Sequence, residues 1–92
     1  MVKVFIKRKV ADASLVELIN LLKQLRTLTL NQPGYVSGET LRRMDKEGEC
    51  VVISTWRSLD DWNAWITNPD RASIQGEIDS LLGKQTEYEV YG

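Results

Sequence analysis

Ninety-two residues bound this chain to one domain with a single modest core, and 42% hydrophobic with 27% charged residues is the composition of an ordinary soluble globule. A net charge of −1 excludes the broad positive field that nucleic acid or an anionic membrane surface requires. One cysteine and no histidine exclude an internal disulfide, a CxxC motif and the usual zinc or haem ligand sets, so no metal and no cofactor is expected.

The periodicity changes cleanly along the chain. Val2, Val4 and Ile6 alternate with Lys3, Phe5 and Lys7 as a first strand. The basic cluster Lys3, Lys7, Arg8 and Lys9 lies on this alternating segment and reads as a solvated or edge face. No apolar signal-peptide stretch follows it and no apolar run reaches the roughly 20 residues of a membrane span, so the expected compartment is the cytoplasm. Asp12 and Ser14 can cap a helix, with Ser14-x-x-Glu17 as a capping box. Leu15, Leu18, Ile19, Leu22 and Leu25 then recur at helical spacing, until Asn31-Gln32-Pro33-Gly34 stops the helix. Tyr35–Met44 reads as a second strand, with Gly38 as a bulge or a close backbone approach. Asp45-Lys46-Glu47-Gly48 is a polar hairpin turn, and Glu49–Arg57 is a third strand. Cys50 within that strand reads as a small buried hydrophobe. A short helix follows over Leu59–Ile66, capped by Ser58. Pro69 opens a third helix that Gly83 closes, and Lys84–Tyr91 alternates as a fourth strand.

The order β-α-β-β-α-α-β predicts an α+β fold: one domain over residues 1–92, with the split β-α-β ferredoxin-like arrangement and helices on one face. Strand three is apolar on both sides. Phe5, Tyr35, Leu41, Tyr88 and Val90 cannot all face the helices, so the opposite sheet face is expected to pair with a second copy as a homodimer. Tyr88, Val90 and Tyr91 are the expected contributors from the last strand. RNA binding is disfavoured, because ECVVISTW lacks the glycine-aromatic pattern of an RNA-recognition strand.

All three tryptophans fall within ten positions, at Trp56, Trp62 and Trp65, beside a strand end. Strand alternation puts Cys50, Val52, Ser54 and Trp56 on one face, and Trp62 and Trp65 are three apart on one helix side. A cavity between the sheet and the two short helices is therefore expected, with Trp56 on its wall and Trp62 and Trp65 at its rim. Val52 and Ser54 would line it, and Arg71 and Gln75 would reach in from the third helix. The plainer reading is that the three rings simply pack the helix–sheet seam. Asp60 and Asp61 read as first-turn helix charges.

PGY at 33–35, STWRS at 54–58 and DDWNAWITNPD at 60–70 resemble the antibiotic biosynthesis monooxygenase (ABM) domain family. The resemblance implies a dimeric α+β barrel, in which two ferredoxin-like sheets face each other. Its members include cofactor-independent oxygenases of phenolic and anthrone-like substrates, quinol oxygenases, haem-degrading enzymes and a sugar-phosphate isomerase. The phenol-oxidising members place a cavity tryptophan at the end of strand three, where this chain has Trp56. Their asparagine four residues earlier corresponds to Val52, their tyrosine six residues later to Trp62, and their last-helix arginine falls near Gln75. The tryptophan that distorts haem in another branch matches Trp65, while that branch's axial histidine falls near Gly76 and its strand-one asparagine near Lys7.

The expected activity is cofactor-independent oxygenation of a small planar aromatic ligand, with Trp56 and Trp62 as catalytic groups and Val52, Ser54, Trp65, Arg71 and Gln75 binding substrate. Such chemistry asks the protein for a dry cavity, a proton acceptor and donors for a developing oxyanion. Without histidine, the acceptors on offer are carboxylates, tyrosines and Lys7. The rival expectation is a non-catalytic small-molecule-binding or regulatory dimer of the same fold.

Overall fold

The computed structural model describes the backbone of residues 1–92 and every side chain except that of Asp12. β1 (Val2–Lys9) leads through a single 3-10 turn (Asp12–Ser14) into α1 (Leu15–Thr29), and β2 (Tyr35–Arg42) and β3 (Glu49–Trp56) form a hairpin. α2 (Leu59–Ile66) and α3 (Pro69–Leu82) follow, and β4 (Glu87–Tyr91) closes the chain. The strands form one antiparallel sheet in the order β2-β3-β1-β4, with the helices packed on one face. This is the predicted ferredoxin-like α+β arrangement.

Two local expectations are corrected, at Ser14 and at the start of β4, and the two alternatives for Gly38 are resolved. Ser14 makes no side-chain cap hydrogen bond, because the 3-10 turn already gives it helical dihedrals, φ −100° and ψ 0°. The bulge of β2 falls between Tyr35 and Ser37, while Gly38 is a close approach: an added Cβ would lie 2.5 Å from the Tyr35 hydroxyl. β4 starts at Glu87 rather than Lys84, since Asp79 Oδ1 on α3 accepts from both Thr86 N (3.1 Å) and Thr86 Oγ1 (2.8 Å). That bond holds the preceding residues against the helix end.

Register decides which side chains face the helices. Val2, Val4, Ile6 and Arg8 on β1 pair with Trp56, Ser54, Val52 and Cys50 on β3. These eight share the helix side with Tyr88 and Val90, which pair with Ile6 and Val4. The core on this side is Val4, Trp56, Trp62 and Trp65, with Val2, Ile6, Leu25, Leu28, Tyr35, Ile66 and Tyr88 packed against it. The opposite face carries Phe5, Leu41, Val51, Ile53 and Tyr91 among Lys3, Lys7, Lys9, Glu87 and Glu89. Tyr91 packs edge-on to Phe5 with ring centroids 5.1 Å apart, and Lys7 pairs with Glu89 at 2.8 Å. The expectation that Tyr88 and Val90 contribute to this open face is therefore corrected: register puts both on the helix side, Tyr88 packed against the core and Val90 exposed on the edge strand, and only Tyr91 of the three lies on the open face. The solvated reading of the basic cluster holds for Lys3, Lys7 and Lys9 but not for Arg8, which is buried.

Candidate functional site

Two short-range devices fix α2 against the sheet. Ser58 caps the helix, accepting from Asp61 N at 3.2 Å and donating to Asp61 Oδ2 at 2.9 Å. Gly34, at φ +81°, leaves room for the same carboxylate, which would lie 2.1 Å from an added Cβ, and its carbonyl accepts from Arg57 N at 2.8 Å. Asn68 caps α3 by accepting from Asp70 N and Arg71 N, at 2.9 and 3.3 Å. Trp62 and Trp65 are thereby turned inward from α2, and Arg71 and Gln75 from α3.

A cavity of about 260 Å³ lies between the sheet and the helices. Its floor is Ile6, Val52, Ser54 and Tyr88, its walls are Trp62 and Trp65 on one side, and Ile19, Leu22 and Leu25 of α1 close it on the other. Arg8, Arg71 and Gln75 form an inner polar end, all three nearly inaccessible to solvent. Exposed Gly38, Thr40, Lys23 and Arg26 mark the outer edge, where α1 passes over β2. Most of the wall is hydrocarbon or ring, which suits a flat apolar ligand with few polar substituents.

The polar end is a chain of hydrogen bonds. Arg8 Nη2 donates to Gln75 Oε1 at 3.3 Å, and Gln75 Nε2 donates to Asp79 Oδ1 at 2.9 Å and to Thr86 Oγ1 at 2.8 Å. Arg71 donates through Nη1 to the Ile66 carbonyl at 3.3 Å and through Nη2 to the Tyr88 hydroxyl, with its guanidinium carbon 5.2 Å from the Tyr88 ring centre. Burial pushes the Arg8 guanidinium below its usual range, opposed by Tyr88, Cys50 and Asp79 and aided by Arg71. Burial likewise raises the Tyr88 phenol, with Arg71 and Arg8 acting against it. Neutral Tyr88 therefore persists at physiological pH as a hydroxyl able to donate as well as accept.

Of the residues singled out in the sequence, Val52, Ser54, Trp62, Trp65, Arg71 and Gln75 meet around this one cavity. Trp56 does not line it, which corrects the expectation of Trp56 on the wall. Its ring is fully buried behind the other two, with centroids 5.8 Å from Trp62 and 6.3 Å from Trp65, and 5.3 Å from Tyr35. Its indole N–H donates to Ser54 Oγ at 2.6 Å. The cavity also extends under α1, beyond the two short helices expected to bound it. Sequence reasoning passed over Arg8 and Tyr88 as site residues. Both sit at even positions of their strands, in step with Val4, Ile6 and Val90, and that parity was the available signal. Asp60, Asp61 and Lys7 do not line the cavity, and among the described residues no carboxylate does. Among the described residues no three of His, Cys, Asp and Glu gather as a metal site, and no helix is long and apolar enough to cross a membrane.

The family model for antibiotic biosynthesis monooxygenases matches residues 1–76. No curated protein matches the chain by sequence. Several solved structures share the fold. A conserved protein of Methanosarcina mazei Go1 has a TM-score of 0.87 at 21% identity, over 98% of this chain and 89% of that one. SnoaB of Streptomyces nogalater, described as a cofactor-independent oxygenase, reaches 0.85 at 21% identity in a mutant form, over 99% and 90%. A Mycobacterium tuberculosis protein reaches 0.84 at 21% identity, over 99% and 92%.

Proposed function

Because the chain belongs to the antibiotic biosynthesis monooxygenase family, we propose that this single domain is a cofactor-independent monooxygenase for a small planar aromatic substrate of the phenol, quinol or anthrone class. The observation that carries this reading is the aromatic-walled cavity with hydrogen-bond donors on its lining: Ser54 and Tyr88 on the floor and Arg71 at the inner end. The likeness to SnoaB supports it as an analogy of fold.

In this mechanism the substrate itself is the reductant. An anthrone-type CH2 loses a proton, the resulting anion passes an electron to dioxygen, and recombination forms a C–O bond as a peroxide. Loss of water then leaves a carbonyl, so one CH2 and one O2 become one C=O and one H2O. The protein's part is to hold the ring between Trp62 and Trp65, exclude water and stabilise the substrate oxyanion. Arg71 and the Ser54 hydroxyl do the last, lowering the substrate's own pKa by charge and donors. Ser54 Oγ already accepts from Trp56, so its O–H is free to donate to a bound oxygen. Among the described residues no carboxylate lines the cavity, so the positive field lowers the substrate's pKa in place of a strong base, and water at the mouth beside Thr40 takes up the proton.

We further propose that two copies assemble through the open sheet face bearing Phe5, Val51, Ile53 and Tyr91, as a dimeric α+β barrel. The second reading, a non-catalytic binder, is favoured by one observation: among the described residues neither a carboxylate nor an imidazole faces the cavity. An oxygen electrode separates the two. Dithranol or a naphthoquinol should be consumed with one O2 per substrate above the spontaneous rate. Tight binding of the same compounds without oxygen uptake supports the binder instead.

A further inference from the structure

The charge of the cavity runs against the charge of the chain. The protein as a whole is slightly acidic, at −1. Yet among the described residues the cavity lining includes Arg8, Lys23, Arg26 and Arg71 and not one aspartate or glutamate. Two of these cations are within the protein interior, with Arg8 5% and Arg71 6% exposed. A buried guanidinium is ordinarily held by a carboxylate, because desolvation is otherwise uncompensated. Among the described residues neither arginine has a carboxylate within ion-pair distance; the ion pairs involve Lys7, Arg43 and Lys46 instead.

Arg8 is the less satisfied of the two. Among the described residues it makes one hydrogen bond, to the Gln75 amide oxygen, and its Nε is a buried donor with no partner there. Asp79 is engaged by Gln75 and Thr86, on the far side of the amide. Arg8 therefore stands in the cavity wall as a desolvated cation with spare donors.

We propose that the inner end of the cavity binds the carboxylate of an aromatic acid, with Arg8 as its principal partner and Arg71 beside it. The ring then lies outward between Trp62 and Trp65. A planar guanidinium edge matches two coplanar carboxylate oxygens, and the cavity's modest volume leaves room for one or two rings bearing such a group. Lys23 and Arg26 near the mouth extend the same polarity outward and would draw an anion in. The inference deepens the proposed function by naming the substrate's second functional group. It rests on the same cavity being the ligand site, but not on turnover.

Calorimetric titration under anaerobic conditions tests it with three probes that share one ring system: naphthoate, its methyl ester and naphthyl phosphate. Naphthoate should bind about tenfold or more tightly than the ester, the range expected for a charge-assisted pair. In Arg8→Met that preference should collapse to about twofold or less, with ester affinity little changed, whereas Arg43→Met, far from the cavity, should keep it. Equal binding of acid and ester by the parent protein overturns the carboxylate subsite while leaving an aromatic cavity, and with it the oxygenase reading, intact. Tighter binding of the phosphate than of the acid overturns the carboxylate in favour of a phosphate group. Failure of all three probes to bind overturns the aromatic acid altogether. The acid–ester comparison needs no variant, so it decides the matter even if Arg8→Met does not fold.

Discussion

Trp56 is hydrogen-bonded to the cavity lining through Ser54: the indole N–H donates to Ser54 Oγ at 2.6 Å, and it is Ser54 that faces the ligand space while the ring stays fully buried. The residue that the sequence marks as the wall is thus one layer behind it.

This relationship predicts coupled energetics. Trp56→Ala should behave as a core truncation costing about 3–5 kcal/mol, enough to unfold much of a small domain. Ser54→Ala should cost ~1–3 kcal/mol, because it leaves the indole N–H buried without an acceptor. Trp56→Phe removes that donor, so the Ser54→Ala/Trp56→Phe double variant should be less destabilised than the sum of the singles by about 1 kcal/mol. Urea unfolding of the four proteins measures the coupling; strict additivity would mean the bond contributes nothing.

Arg8 offers a test of why a cation is buried there. If packing retains it, replacement should be costly. If ligand binding retains it, Arg8→Met should hold stability within about 1 kcal/mol of the parent or raise it, since an unpaired desolvated charge is exchanged for hydrocarbon of similar length. Thermal unfolding without ligand reads the difference, and a loss of ~3 kcal/mol would assign Arg8 to the scaffold.

The open sheet face predicts an assembly. Ile53 lies opposite Phe5 and Glu39 on that face, away from the core. Light scattering should give the mass of two chains for the parent protein. Ile53→Lys should give one, with the far-ultraviolet circular dichroism unchanged. A single-chain mass for the parent would end the dimer proposal.

Cys50 predicts a pH dependence. Burial raises its thiol, outweighing the nearby Arg8 and Arg42. A raised pKa leaves less thiolate at any pH below it, so alkylation by iodoacetamide at pH 8 should be several-fold slower in the folded protein than in urea. The folded rate should continue to climb at pH values where the unfolded rate has levelled off. Equal rates in the two states would show an unshielded thiol.

Much of this architecture was legible in the sequence because the signals were local. Pro69 after Asn68 and Gly83 after Leu82 mark the ends of α3, and the structure places them there with the cap bonds and the left-handed φ of +67° they imply. The grouping of Val52, Ser54 and the two α2 tryptophans followed from the two-residue and three-residue repeats of strand and helix. What was illegible depended on pairing between distant segments. Whether Tyr88 faces in or out is set by its register against Ile6, 82 positions away in the chain. Arg8 was misread because a charge among lysines suggests solvent, and its partner Gln75 is separated from it by 67 positions. The depth of Trp56 depended on two other large rings competing for the same surface, which no spacing reveals.

The cavity has a consequence for how the chain holds together. α1 lies partly over space: six of its residues line the void, and of its fifteen only Leu18 is buried, although Leu25 and Leu28 also pack against the core and the helix packs along α3. Over the void such a helix forfeits fewer van der Waals contacts on lifting than a fully packed one would, so its opening should cost less than opening the central strands. In hydrogen exchange the α1 amides should surrender their protons before those of α3 and β3. A ligand that fills the void supplies the missing contact surface and should slow exchange in α1 above all. Occupancy and local order are then one equilibrium, in which the guest completes the core of its host.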